Sequence, residues 1–284
     1  MGKSHQSQHP TLIPMSKTVF ITGTSSGIGK FTTIYFAQQG WNVAATMRNP
    51  SQDQNFREFP NIKVYFLDVT DNNSIQTAIA SAIQDFGQID VLVNNAGYGV
   101  DGVFEAMTDE IITKQFNTNV FGLMRITQAI IPHLRQQGGG TIIQIASMGG
   151  RITFPLYSIY HSSKWAVEGF SEALHYELEP FNIKIKIVEP GVIKTEFYEN
   201  NRAIVRDDLP MYQPLVDTAQ RVSQEAGRKG EPPELVAQAI FKAAIDRSYK
   251  MRYPVGQPAP ILLMLRKLLP DSWFFSIIKR IYKV

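Results

Sequence analysis

The chain has 284 residues, 44% of them hydrophobic and 19% charged, with a net charge of +3. That is the balance of an ordinary globular protein long enough to bury a large core, and so small a net charge gives no reason to expect nucleic acid as a partner. Cysteine is absent, which excludes disulfides, iron–sulfur clusters, thiolate zinc sites and cysteine nucleophiles, and the five histidines show no ligand spacing, so no metal is expected.

Residues 1–16 read as a flexible arm, polar and without the apolar stretch of roughly 7–15 residues that a signal peptide needs. From there, short β-branched runs alternate with helical patterns. Thr18–Ile21 reads as a strand, Lys30–Gln39 as a helix closed by Gly40, and Asn42–Met47 and Lys63–Leu67 as further strands. Asp71 caps a helix running to about Phe86, and Gly87 precedes a strand at Asp90–Val93. Helices follow over Asn119–Gln136 and Tyr160–Leu178, strands over Thr141–Ala146 and Lys184–Val188, and a last helix over Pro233–Asp246. Near-continuous apolar strands alternating with helices predict an α/β fold, a Rossmann-type doubly wound parallel sheet in three α/β/α layers, as a single domain over residues 17–256. Residues 197–232 are expected to be an irregular substrate-loop insertion, and residues 257–284 an amphipathic tail. No run approaches the roughly 20 apolar residues of a membrane span, so the default address is cytoplasmic.

Directly after the first strand comes Thr22-Gly23-Thr24-Ser25-Ser26-Gly27-Ile28-Gly29, leading into a helix. Gly23 permits a tight turn, Gly27 lets the backbone approach a pyrophosphate, and Gly29 lets the helix pack on the sheet, while the helix N-terminus offers free N–H groups to the anion. Which dinucleotide binds is decided at the end of the second strand, where an acid would take the ribose 2′-OH. Here the residues are Thr46-Met47-Arg48-Asn49, with no acid. Arg48, helped by a Ser25 hydroxyl, suits a 2′-phosphate and predicts NADP(H) over NAD(H); its other reading is a solvated loop cation. Asp68, in Leu67-Asp68-Val69, either accepts from the adenine amino group or caps the next helix, a task for which Asp71 is better placed.

Tyr160 and Lys164 stand four apart at the start of a helix, on one face and a turn apart. A nearby ammonium favours the phenolate and is expected to lower the tyrosine pKa, making Tyr160 a usable general acid in reduction or base in oxidation. Ser147, ending the fifth strand, can donate to a carbonyl oxygen as negative charge builds there. Asn119, opening its helix, can hold a backbone carbonyl or a water leading to Lys164.

With these residues in place, the chain resembles a short-chain dehydrogenase/reductase of the compact, single-domain branch. The matching pieces are residues 22–29, Asp68-Val69, Asn94-Asn95-Ala96-Gly97, Asn119, Ser147, the Tyr160/Lys164 pair and Pro190-Gly191, in the family's order over roughly residues 17–256. The resemblance implies a catalytic tetrad of Asn119, Ser147, Tyr160 and Lys164, with Lys164 also bonding the nicotinamide ribose. It implies that Asn95, Ala96 and Gly97 line the cofactor, that Val192 and Thr195 face the nicotinamide carboxamide, and that the chain forms dimers or tetramers. The hydride would come from the nicotinamide while Ser147 and Tyr160 hold the carbonyl oxygen and Tyr160 supplies the proton. A cofactor-sensing protein on the same fold would need no tetrad. An epimerase or dehydratase would have another glycine spacing and a larger C-terminal substrate domain.

The turn at Tyr98-Gly99 and the Thr46–Asn49 stretch resemble the hydroxysteroid/retinol dehydrogenase-like branch. Candidate pocket residues are Val103, Met148, Ile152, Phe154, Tyr157 and Phe197, apolar or aromatic, which suit a lipophilic ketone or aldehyde. The tail holds two apolar helical segments separated by Pro270, with Arg266, Lys267, Lys279, Arg280 and Lys283 interspersed. It suits either packing on the body, with Trp273, Phe274, Phe275, Ile277, Ile278 and Ile281 as the buried face, or contact with an anionic membrane surface; packing is the favoured reading.

Overall fold

The computed structural model describes residues 16–195, 204 and 208–283. Strand β1 (Thr18–Thr22) shows why the fold is layered. Val19, Phe20 and Ile21 are all fully buried, and because side chains alternate across a strand, both faces of the sheet must be covered. Val19 and Ile21 enter a core that includes Phe36, Val236 and Ile240. Phe20 enters the opposite one, with Ile75, Ile79, Ile126 and Ile130. Each such aliphatic contributes about 1.5–3 kcal/mol on full burial, so a register slip of one residue would misplace both cores at once.

The remaining strands are β2 (Asn42–Met47), β3 (Ile62–Phe66), β4 (Val91–Asn94), β5 (Gly140–Ile145), β6 (Ile183–Pro190) and β7 (Arg252–Val255). They form one seven-stranded sheet in the order β3-β2-β1-β4-β5-β6-β7, with every pair parallel. Helix α1 (Gly27–Gln38) packs on one face, joined further along the chain by α7 (Pro233–Ile245). Helices α2 (Asn72–Phe86), α4 (Leu123–Gln136) and α5 (Ser158–Leu178) cover the other. This is the expected three-layer, doubly wound architecture. Asp71 caps α2 by accepting from the Asn73 N–H at 2.9 Å, as its position predicts. The strand order reverses between β1 and β4, and the crevice at the carboxyl ends there is where ligands bind in such sheets.

Four features depart from the expectation. A short helix, α3 (Asp109–Phe116), runs into a π-helical turn at Asn117–Gly122, so Asn119 lies inside that turn and does not open α4. The stretch expected to be irregular contains α6 (Gln213–Arg228), a regular 16-residue helix. Strand β7 extends the sheet at its edge, where Pro254 is tolerated because an edge strand need not donate on both sides. The tail forms α8 (Ala259–Leu268) and α9 (Asp271–Tyr282), but only Phe274 and Ile278 of its expected buried face turn inward, joined by Tyr282. Trp273, Phe275, Ile277 and Ile281 stay exposed, because α9 lies on the body along a single stripe.

Candidate active site

The glycine turn is clamped from both sides. Thr24 donates its backbone N–H (3.0 Å) and its hydroxyl (3.1 Å) to the Thr46 carbonyl, tying the turn to the end of β2. Asn95 donates its side-chain amide to the Thr22 and Gly23 carbonyls, both at 2.9 Å, tying it to the end of β4. Thr22 Oγ1 in turn accepts the N–H groups of Asn95 (3.0 Å) and Ala96 (2.9 Å). Gly23 has φ +70°, a conformation costly to any side chain, and a Cβ there would lie 2.8 Å from Ala96 Cα. A Cβ on Gly29 would press into the Gly23 carbonyl and sit 2.5 Å from Asn95 Nδ2. Ser26 begins α1 without a side-chain cap, so the first-turn N–H groups are open to an anion beside the exposed hydroxyls of Ser25 and Ser26. This cradle fits the diphosphate of a dinucleotide. Ile28 packs at the edge of the core beneath it.

The other residues expected to line a cofactor are placed as follows. Arg48 is exposed one residue beyond β2. Asp68, half-buried past β3, accepts from Thr70 through its N–H (2.8 Å) and hydroxyl (2.7 Å); it does not cap α2. Val69 is in the core beside Leu67. Gly97 is close enough to Asn119 that a Cβ there would lie 3.1 Å from Asn119 Oδ1. After Pro190 ends β6, Gly191 donates to the Val255 carbonyl (2.8 Å) and Val192 to that of Gln257 (3.0 Å). Thr195 reaches back to the glycine turn, its Cγ2 3.7 Å from where a Gly27 Cβ would be.

Of the four residues expected to form the tetrad, Lys164 lies under the Tyr160 ring and Asn119 beside Gly97 and Ser163. Ser147 follows β5 and caps a 3-10 turn, its Oγ accepting the Gly149 N–H at 3.0 Å. That bond fixes a lone pair and leaves the hydroxyl hydrogen free to turn toward Tyr160, whose phenol the Ser147 hydroxyl influences. Burial pushes the Tyr160 phenol above its ordinary value, and the Ser147 hydroxyl opposes this only in part. The expectation that the lysine draws Tyr160 below its usual range is thereby corrected: desolvation wins. Lys164, buried beneath, donates to the Ile145 carbonyl at 2.8 Å and stands 5.9 Å from the Tyr160 ring centroid. Burial lowers its pKa to about 8, the Glu168 charge pulling the other way. Asn119 grips the backbone of Tyr98, accepting its N–H (3.1 Å) and donating to its carbonyl (2.8 Å), and donates also to Ser163 Oγ at 3.3 Å. The π turn supplies this aim, since it sets Asn119 out of α-helical phase with its neighbours.

Sequence reasoning missed what lies behind the lysine, although the spacing carried the signal: Glu168 extends the Tyr160–Lys164 row by one more turn. It is buried and bonds Arg252 Nη2 at 2.9 Å, while Glu189, fully buried, pairs with Arg151 at 3.2 Å. Among the described residues, each carboxylate keeps one oxygen without a hydrogen-bond partner. Burial, with the neighbouring Glu189 charge, raises the Glu168 pKa from 4.5 to about 7. The folded protein therefore holds a proton that the unfolded chain releases, and stability falls as pH rises through the window from 4.5 to about 7. Glu168→Gln should flatten that fall in thermal unfolding measured across the window; a slope equal to wild type would refute the assignment.

Of the residues expected to line a substrate pocket, Met148 and Ile152 are buried with Val192 and with Phe274 and Tyr282 of the tail. Phe154 packs on His161 and Tyr282, with ring centroids 5.7 and 6.2 Å apart. Tyr157 stacks on His161 and meets Ser223 of α6 at 3.0 Å, a contact that sequence reasoning did not foresee. Val103 is buried in a separate cluster with Leu209 and Val216. Phe197 lies outside the described residues.

A glycine cradle at the switch point, beside a serine, a tyrosine and a buried lysine, defines a dinucleotide-dependent class of enzyme. The short chain dehydrogenase family profile matches residues 17–205. A 3-ketodihydrosphingosine reductase of Bacteroides thetaiotaomicron is 34% identical over 268 residues, covering 94% of this chain and 98% of its own. A short-chain dehydrogenase structure from Streptomyces avermitilis superposes with TM-score 0.79 at 31% identity, covering 92% of this chain and 97% of the other. The NADP-bound structure of ElxO gives TM-score 0.71 at 27% identity, with 85% and 97% covered. The chain belongs to the short-chain dehydrogenase/reductase family, oxidoreductases that act on alcohol and carbonyl groups.

Proposed function

We propose that the protein is an NADP(H)-dependent oxidoreductase that interconverts a lipophilic alcohol with its ketone or aldehyde, Tyr160 acting as general acid/base. The observation that carries this reading is buried Lys164, tied to the carbonyl of Ile145 at the end of β5, two residues before Ser147, and 5.9 Å from the Tyr160 ring centroid. In reduction, the Ser147 and Tyr160 hydroxyls bind the carbonyl oxygen. Tyr160, kept protonated by burial, gives its proton to the forming alkoxide, and the Lys164 ammonium stabilises the phenolate left behind. The glycine turn would hold a nicotinamide dinucleotide by its diphosphate and Lys164 would bond its ribose, and the group would supply the hydride. Asn119 holds the Tyr98 segment in place, and Asn95, Ala96, Gly97, Val192 and Thr195 border the cofactor, with Asp68 and Val69 at its adenine end. Ile152, Phe154 and Tyr157 are assigned to the substrate side, and the sequence adds Phe197 to them. Their apolar character supports a lipophilic substrate, as does the relative named for reducing 3-ketodihydrosphingosine, itself a lipophilic ketone.

NADPH absorbance decay against a panel of lipophilic ketones and aldehydes tests the reading, and cofactor binding without turnover of any carbonyl would favour a sensor instead. The preference for the 2′-phosphate rests on exposed Arg48 at the end of β2 and on the absence of an acid there. Arg48→Ala should lower the ratio of kcat/KM with NADPH to that with NADH by about tenfold, as for a lost charge-assisted contact; an unchanged ratio would remove Arg48 from the cofactor site. The reading includes a cytoplasmic address and a homodimer or homotetramer.

A further inference from the structure

The two helices after β7 each bury one narrow stripe and leave another apolar stripe open. On α9, Phe274, Ile278 and Tyr282 are spaced four apart and lie against the body. One residue back, Trp273, Ile277 and Ile281 repeat that spacing and are 66%, 41% and 47% exposed. On α8, Ala259 and Leu263 face inward, while Ile261, Met264 and Leu268 are 52%, 55% and 69% exposed. The two helices are braced together by Arg266, which pairs with Asp271 and stacks over Phe274 and Phe275 at 5.3 and 5.5 Å. The open stripes therefore sit on a fixed support.

Charge says what covers them. Residues 257–284 contain Arg266, Lys267, Lys279, Arg280 and Lys283 against the single acid Asp271, a net +4, which exceeds the +3 of the whole chain. The only acid in the segment is already paired with Arg266, so Lys267, Lys279, Arg280 and Lys283 are left to meet an external anion. A second copy of this face would set like charges against one another. Large apolar side chains interleaved with cations instead match an anionic lipid surface, where the former enter the acyl boundary and the latter meet headgroup phosphates. No helix among the described residues is long and apolar enough to cross a membrane, so the contact is along the surface.

We infer that α8 and α9 form a docking face for anionic membranes, with Trp273, Ile277, Ile281, Ile261, Met264 and Leu268 as its apolar anchors. The docking stands apart from the reaction assigned above. Only its corollary rests on that reading: the inward stripe walls the substrate side, so docking sets that wall against the lipid.

The test is sedimentation of the full chain with large unilamellar vesicles of phosphatidylcholine alone or with about one-third phosphatidylglycerol. The wild type should pellet with the anionic vesicles and be released by high salt. The triple variant Trp273→Glu/Ile277→Glu/Ile281→Glu should lose about tenfold in vesicle affinity while keeping its unfolding temperature and NADPH binding. Lys279→Glu/Arg280→Glu should lose the distinction between the two lipid mixtures. A wild type that stays in the supernatant, a triple variant that pellets as well as wild type, or a triple variant whose main change is in oligomeric state by light scattering would each overturn the inference.

Discussion

Tyr160→Phe is expected to lower kcat by a factor on the order of 10³ while leaving NADPH affinity within about threefold of wild type. The substitution removes one oxygen and keeps the ring that packs against Tyr157 and His161, so the pocket holds its shape. On the proposed reading, what is lost is the proton donor and one of the two hydroxyls that hold the carbonyl oxygen. Ser147, still fixed by the Gly149 N–H, remains as a partial oxyanion donor and accounts for the residual rate. Single-turnover kinetics with NADPH and a reducible carbonyl would read the effect directly, and near-normal turnover would remove Tyr160 from the chemistry.

The second large effect is Gly29→Ala. The new methyl would meet the Gly23 carbonyl and the Asn95 amide, neither of them the loose end of a flexible side chain. Asn95 is held by two hydrogen bonds to the same turn, so relief requires the turn itself to move. The expected cost is about 2–3 kcal/mol of stability, together with at least about a tenfold loss of cofactor affinity. Gly169→Ala is the matched contrast. It lies exposed within α5 with nothing near its Cβ position, and should stabilise by about 0.5–1 kcal/mol. Urea unfolding of both variants beside wild type, with cofactor titration, checks the pair; equal midpoints would mean the turn tolerates a side chain.

Legibility in the sequence followed from how local each determinant is. The glycine turn could be read because strand, turn and helix are contiguous, and Tyr160 and Lys164 because four residues is one helical turn. Asn119 could be named but not placed, since its π turn exists to reach Tyr98, far away in the chain. Helix α6 escaped notice because its buried face is short and made of small residues, Val216, Ala219 and Gly227 with partly buried Val222 and Ala226, amid many polar ones. Pro254 hid β7, whose place is set by long-range pairing with β6. The Tyr160 pKa went the other way from expectation because burial is a property of the assembled site, invisible in a spacing.

The cluster proposed above to wall the substrate takes Met148, Ile152 and Val192 from within residues 17–205, the span of the family match, but Ala219, Leu263, Phe274 and Tyr282 from beyond it. On that reading the wall is written in two stretches of the chain, while Ser147, Tyr160 and Lys164 lie wholly in the first. Exchanging the later stretch for a relative's is then expected to alter which compound is accepted and to leave proton handling in place.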